Sequence, residues 1–401
     1  MNPRLQVLQP YPFERLNALK AGVVGNPAHA HIALSIGEPK HPPPPFLIEL
    51  LSEPGALAAD LATYPATRGS PALREAIAHW LQQRFSAGVD PETGILPVAG
   101  TREALFSFAQ AVLSGAPGSV GIAPNPFYQI YEGALLLGGA RPCFVDCPAS
   151  NDYLPDYRAV TEDVWRRCEL LFLCSPGNPT GRVLDRDTLE FLIGQAQRHD
   201  FILAADECYS EIYFDEAKPP LGLLQVARDM GLSDYRRCVV FHSLSKRSNL
   251  PGLRSGFVAG DSRVLEAYLL YRTYHGCALG AHVQRASTAA WSDEDHVRAN
   301  RALYVEKFSK IHALLSDQFQ FREPEGGFYH WLNVGEDDRA FARDLFRDEN
   351  ITVLPGSFLS REGASGNPGQ GHVRVAWVAP LAETLSAAQR LCRWAQRRSP
   401  L

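Results

Sequence analysis

At 401 residues, with 45% hydrophobic and 21% charged side chains, the chain has the composition of a folded protein large enough for more than one domain. A net charge of -5 with no concentrated basic run gives no signal for a nucleic-acid or membrane-surface partner, and neither is expected. Residues 1–12 lack the apolar segment of a secretory signal, and no apolar stretch approaches the roughly 20 residues that cross a bilayer. Eight scattered cysteines without a paired CxxC arrangement predict reduced thiols in a cytoplasm and no metal site.

Along the chain, Ser70 followed by Pro71 predicts a capped helix start, with Leu73, Ile77, Trp80 and Leu81 on the buried stripe. Thr101 is placed to cap a second helix carrying Ala104, Leu105, Phe108 and Val112. Short apolar runs at 120–123, 170–174, 201–205, 238–241 and 256–259 predict buried strands. Residues 185–199, with Leu189, Leu192, Ile193 and Ala196 on one stripe, predict a helix between the second and third of these runs. Strand, helix, strand, with strands apolar on both faces, implies a parallel sheet covered by helices, whose chemistry gathers at the carboxyl ends of the strands. From about residue 294 a long amphipathic helix gives way to mixed strand and helix, the texture of a second, smaller α+β domain. Five glycines or prolines among the twelve residues 360–371 predict a mobile loop.

The polar residues just past these strands carry the functional signal. Phe241-His242-Ser243-Leu244-Ser245-Lys246 puts a lysine behind a buried run and ahead of Arg254. Burial and nearby cations lower a lysine's pKa and leave the free amine that condenses with an aldehyde. Ser243 and Arg254 offer hydroxyl and guanidinium donors for a dianionic phosphate. Asn178-Pro179-Thr180-Gly181 reads either as a plain turn or as a loop whose Asn178 amide donates to an oxygen anion. Asp206, ending the next run, either caps a local turn or meets a cation, and a pyridinium N–H is such a cation. Tyr209, three residues on, is within reach of a phenolate oxygen on the same ring.

The ordered set decides between these readings: NPTG, a DExY about thirty residues on, an SxSK about forty after that, then Arg254. It resembles the class I/II aminotransferases of fold type I over nearly the whole chain. The resemblance implies an α/β, aspartate aminotransferase-like fold: a large domain with a mostly parallel central sheet covered by helices, plus a smaller α+β domain. It divides the chain into an N-terminal arm with part of the small domain (1–44), a large cofactor-binding domain (45–285) and a small C-terminal domain (286–401). It implies pyridoxal 5'-phosphate held by Lys246, the catalytic residue, with Asn178, Asp206, Tyr209, Ser243 and Arg254 as further contacts. Thr101 and Arg102 match the turn into a phosphate-binding helix, where the Arg102 backbone is expected to matter more than its side chain. Tyr128 matches the aromatic residue that stacks on the ring. Tyr64 matches a tyrosine that reaches a neighbouring subunit's phosphate, which implies a homodimer. Arg374 matches the arginine that grips the substrate α-carboxylate, Gly37 and Asn178 are further substrate contacts, and Pro355-Gly356-Ser357-Phe358 fits the turn before that arginine.

Residues 8–16, 35–42 and 271–277 are similar to the proteobacterial succinyldiaminopimelate aminotransferases of lysine biosynthesis. This implies transamination of N-succinyl-LL-2,6-diaminopimelate with 2-oxoglutarate. Such a substrate carries several carboxylates and calls for cations beyond Arg374, with Arg68, Arg272 and Lys40 as candidates. Aminotransferases for aspartate, aromatic or N-acetylornithine-like donors, and β-lyases, use nearly the same residues. A cofactor-sensing regulator would add a basic DNA-binding domain, for which no room is expected before Tyr64.

Overall fold

The computed structural model describes residues 1–335, 337–363 and 366–398. Each of the five expected strands forms, with ends within two residues of the apolar run: β2 (Val120–Asn125), β4 (Cys168–Cys174), β5 (Ile202–Asp206), β6 (Cys238–Ser243) and β7 (Gly256–Gly260). Two more join them, the short β1 (Ile95–Val98) and the edge strand β3 (Arg141–Asp146). The seven make one sheet in the order β1-β7-β6-β5-β4-β2-β3, in which β7 alone runs against its neighbours.

Alternate residues of the central strands feed two cores. Leu171, Leu173, Leu203, Ala205 and Val240 pack on one face, and Leu170, Phe172, Ile202, Ala204 and Val239 on the other. Burial on both faces is why these strands read as unbroken apolar runs, and each fully buried Leu or Phe contributes roughly 1.5–3 kcal/mol. Register sets Cys174 beside Asp206 and Asp206 beside Phe241, so the central strands finish level at one edge.

The helices α1 (Pro71–Phe85), α2 (Thr101–Val112) and α3 (Arg186–His199) follow the expected stripes. Ser70 caps α1 by accepting from the Leu73 N–H at 3.3 Å. The expected cap at Thr101 is corrected: α2 already starts there, and Gly100, at φ +85°, occupies the cap position with no side-chain bond. A second sheet, β8 (Tyr329–Asn333), β9 (Leu354–Pro355) and β10 (His372–Ala376), is antiparallel in the order β9-β10-β8. With Asp295–Ser316 and Leu381–Arg397 it encloses a separate core around Ile311, Leu332, Val373, Val375 and Leu391. Ile32–Ala33 pairs in parallel with Ile351–Thr352 and ties the N-terminal stretch to this part of the molecule.

The loop reading of 360–371 changes. Residues 364–365 lie outside the described residues, but the segment before them is fastened. Arg361 donates from Nε to Glu132 at 2.7 Å, and its backbone N–H donates to Asn125 Oδ1 at 3.0 Å. Local composition cannot reveal partners more than 200 residues away. All eight cysteines are free thiols. Among the described residues no helix is long and apolar enough to cross a membrane.

Candidate active site

The level strand ends open into a pocket of about 390 Å³, and it gathers every residue expected at the site except Tyr64 and the three candidate distal cations. Lys246 sits on the single helical turn Leu244–Arg247 that directly follows β6. Its Nζ donates to the Gly37 carbonyl at 2.9 Å. Burial is the main force lowering its pKa; Cys208 and Asp206 pull the other way, and Arg254 and Arg374 add to the lowering. The amine is therefore held towards its neutral, nucleophilic form.

Asp206 ends β5 almost fully buried, and among the described residues no cation lies within ion-pair distance of it. Tyr131 Oη donates to its Oδ2 at 2.8 Å. Burial nevertheless raises the carboxyl pKa, the expected state of a buried acid still lacking a cation. A ring N–H⁺ in the pocket would supply that cation.

One side of the pocket offers backbone donors. Gly100 bends the chain into α2 with no side-chain cap, which leaves the helix N-terminus facing the pocket with its N–H groups and positive dipole end. A Cβ on Gly100 would stand 2.4 Å from the Arg254 guanidinium and, at φ +85°, would be strained, so glycine lets Arg254 keep this place across the helix start. Arg254 is fixed there by its bond to the Pro251 carbonyl at 2.8 Å. Ser243 and Ser245 line the same side, the Ser243 hydroxyl accepting from the Ser245 N–H at 3.1 Å. A buried uncompensated acid, a lysine amine and a phosphate-type cradle in one pocket fit pyridoxal 5'-phosphate.

On the substrate side, Arg374 is buried and donates to Asn178 Oδ1 at 2.9 Å and the Ser35 carbonyl at 2.7 Å. That bond occupies the Asn178 oxygen and leaves its amide N–H groups to point at a ligand. Tyr128 and Tyr209 line the pocket, and burial raises both phenol pKa values.

Two tyrosines escaped the sequence reading, Tyr329 in the pocket lining and Tyr131 behind Asp206. Tyr329 shares a 3.0 Å hydroxyl bond with Tyr209, and its ring lies 4.6 Å below the Arg374 guanidinium. A Cβ on Gly37 would fall 1.9 Å from the Tyr329 hydroxyl, so the two positions are mutually exclusive for larger residues. Tyr131 carried no signal, being one aromatic in an apolar helix. Arg102, expected to act through its backbone, puts its side chain in the pocket, over the Tyr11 ring at 5.4 Å.

The three candidate distal cations are not in the pocket. Arg272 is fully buried and bonded to both Glu103 oxygens at 3.0 Å, Arg68 donates to the Glu92 carbonyl, and Lys40 is exposed elsewhere. Tyr64 is wholly exposed and also outside the pocket. A second cleft, of about 500 Å³, opens at the other end of the sheet, but its arginines are already paired with Asp200, Asp234 and Asp261.

Comparison with known proteins agrees with this geometry. Residues 30–391 match the family described as Aminotransferase class I and II. The LL-diaminopimelate aminotransferase of Nitratidesulfovibrio vulgaris is 31% identical over 97% of this chain and 98% of its own length. An aminotransferase structure from Neisseria meningitidis is 49% identical, with a TM-score of 0.93, over 98% of this chain and 100% of that one. A probable N-succinyldiaminopimelate aminotransferase from Thermus thermophilus is 28% identical, with a TM-score of 0.82, over 95% and 99%. With a match spanning most of its length and a pocket built for their cofactor, the chain belongs to the class I and II aminotransferases, pyridoxal-phosphate enzymes that transfer amino groups.

Proposed function

We propose that the protein moves the amino group of N-succinyl-LL-2,6-diaminopimelate to 2-oxoglutarate. The observation that carries this reading is the arginine inventory of the pocket. Arg254 lies at the phosphate cradle and Arg374 beside Asn178, which leaves Arg102. Among the described residues no carboxylate pairs with Arg102; it rests only on Tyr11. A pocket-lining guanidinium that is exposed and has no acid partner suits a donor with a second, distant carboxylate. Relatives named for diaminopimelate substrates support the same class.

When bound, the cofactor supplies an aromatic electron sink for the substrate Cα. Arg374 and Asn178 hold the α-carboxylate, and so orient the Cα–H bond. With the cofactor bound, Lys246 Nζ would act as the general acid–base that takes up and returns the Cα proton. Asp206 keeps a proton on the ring nitrogen. The working unit is a cytoplasmic homodimer in which the exposed Tyr64 reaches the partner's phosphate.

Absorbance titration of the holoenzyme separates the outcomes. N-succinyl-LL-diaminopimelate should bleach the visible band of lysine-bound cofactor, and 2-oxoglutarate should restore it. A response to free LL-diaminopimelate instead moves the assignment to the substrate named for the Nitratidesulfovibrio relative. Silence to both sinks the diaminopimelate reading. Arg102→Gln should raise KM for the succinylated donor about 10- to 100-fold, the loss of one charge-assisted contact, while a monocarboxylic donor such as alanine keeps its KM.

A further inference from the structure

The segment 271–277 is not absorbed by the pocket, and it converges with α2 on a cluster of unlike donors. Glu103 lies in the first turn of α2. His275 is the last residue of α5 (Ser262–His275), and Gly276, at φ +79°, turns the chain so that Cys277 comes back beside Glu103. The Glu103 carboxylate, His275 imidazole and Cys277 sulfur have ligand atoms all within 4.8 Å of one another, with His275 Nδ1 3.8 Å from Glu103 Oε1. We infer that this cluster is a transition-metal site, with zinc the best match, tying the end of α5 to the start of α2.

Zinc bonds of about 2.0–2.3 Å to O, N and S set tetrahedral donors roughly 3.3–3.7 Å apart. The cluster therefore closes on an ion by small side-chain rotations. One sulfur, one nitrogen and one oxygen form a borderline-soft set, which selects zinc or cobalt over magnesium or calcium. The donors are already held in place. Arg272 Nη1 bonds both Glu103 oxygens at 3.0 Å, and its Nη2 donates to the Cys277 carbonyl at 2.9 Å. The Tyr271 ring stacks on His275 at 5.7 Å. His275 and Glu103 stay partly exposed, at 39% and 23%, which leaves an entry path and room for a water as fourth ligand. Cys277 coordinates as the thiolate and its proton passes to solvent. Until then burial, with Glu103 nearby, holds the thiol pKa up and keeps the group neutral. The carboxylate and thiolate offset the ion's charge beside Arg272.

Equilibrium dialysis of the chelator-washed holoenzyme against zinc, followed by elemental analysis, tests the site. We expect one zinc per chain, with an X-ray absorption signature of one sulfur at about 2.3 Å. His275→Gln and Cys277→Ser should each weaken binding at least about tenfold and leave the visible cofactor band unchanged. Absence of stoichiometric zinc would reduce the cluster to an ion-pair network. Zinc that binds both variants as well as the parent lies elsewhere, and either result overturns the proposal.

Discussion

Asp206 has opposite effects on the empty and the loaded protein. Its carboxyl pKa is raised by burial, so the folded state is penalised once the pH exceeds the unfolded carboxyl value. Asp206→Asn keeps an acceptor for Tyr131 and removes that charge. The cofactor-free variant should therefore melt at a higher temperature than the parent at pH 7, while its affinity for cofactor falls about 10- to 100-fold as a charge-assisted bond is lost. Calorimetry and absorbance titration read the two effects separately. A cofactor-free protein that loses stability instead would mean the carboxylate is already compensated. Lys307 offers a second test at this scale. Its ammonium is buried against the Trp377 and Ala379 carbonyls and His41 Nε2, and burial pushes its pKa down to about 8. A lowered lysine leaves the unfolded chain holding more protons between about pH 8 and 10.5, so this group makes stability rise with pH across that window. The rise is about 3 kcal/mol at most. In Lys307→Met the increment should vanish, as urea denaturation at pH 7.5 and 10.5 would show.

The start of α2 is the most demanding element. Gly100 combines a left-handed φ of +85° with a guanidinium lying where a Cβ would extend. Gly100→Ala meets both constraints at once. A stability loss of about 1–3 kcal/mol should accompany weaker cofactor binding, because Arg254 must leave the helix start. Loss of stability with unchanged cofactor affinity would show that Arg254 is not part of the cradle. What the sequence disclosed and concealed at this scale has physical causes. Strands buried on both faces announce themselves, and so did the motif residues that follow β4, β5 and β6. The four-residue β1 and the half-exposed edge strand β3 carry too weak a pattern to be read. Thr101 looked like a cap because threonine is a favoured one, whereas Gly100, at φ +85°, takes the cap position and starts the helix one residue earlier. Arg272 looked like a pocket cation because nothing nearby in sequence reveals its partner Glu103. Tyr329 and Tyr131 stayed hidden because an aromatic beside apolar neighbours reads as core, and both are indeed buried.

For the whole molecule, the single chain leaves Leu61, Tyr64, Leu270 and Tyr274 strongly exposed, apolar surface available to an interface. A second copy is the expected cover. Sedimentation equilibrium should give a mass of about twice 44.2 kDa. Tyr64→Phe should lower cofactor affinity severalfold without changing that mass. A stable monomer with full cofactor affinity would remove Tyr64 from the site.

The reversed direction of β7 has a further consequence. Because β7 enters the sheet at the edge where β6 leaves it, the chain between them needs no crossover helix. The residues from 244 to 255 stay at that edge and deliver Lys246 and Arg254 together. One twelve-residue segment, 244–255, thus brings both the pocket lysine and a pocket guanidinium to the same strand edge, with no crossover helix to set their spacing.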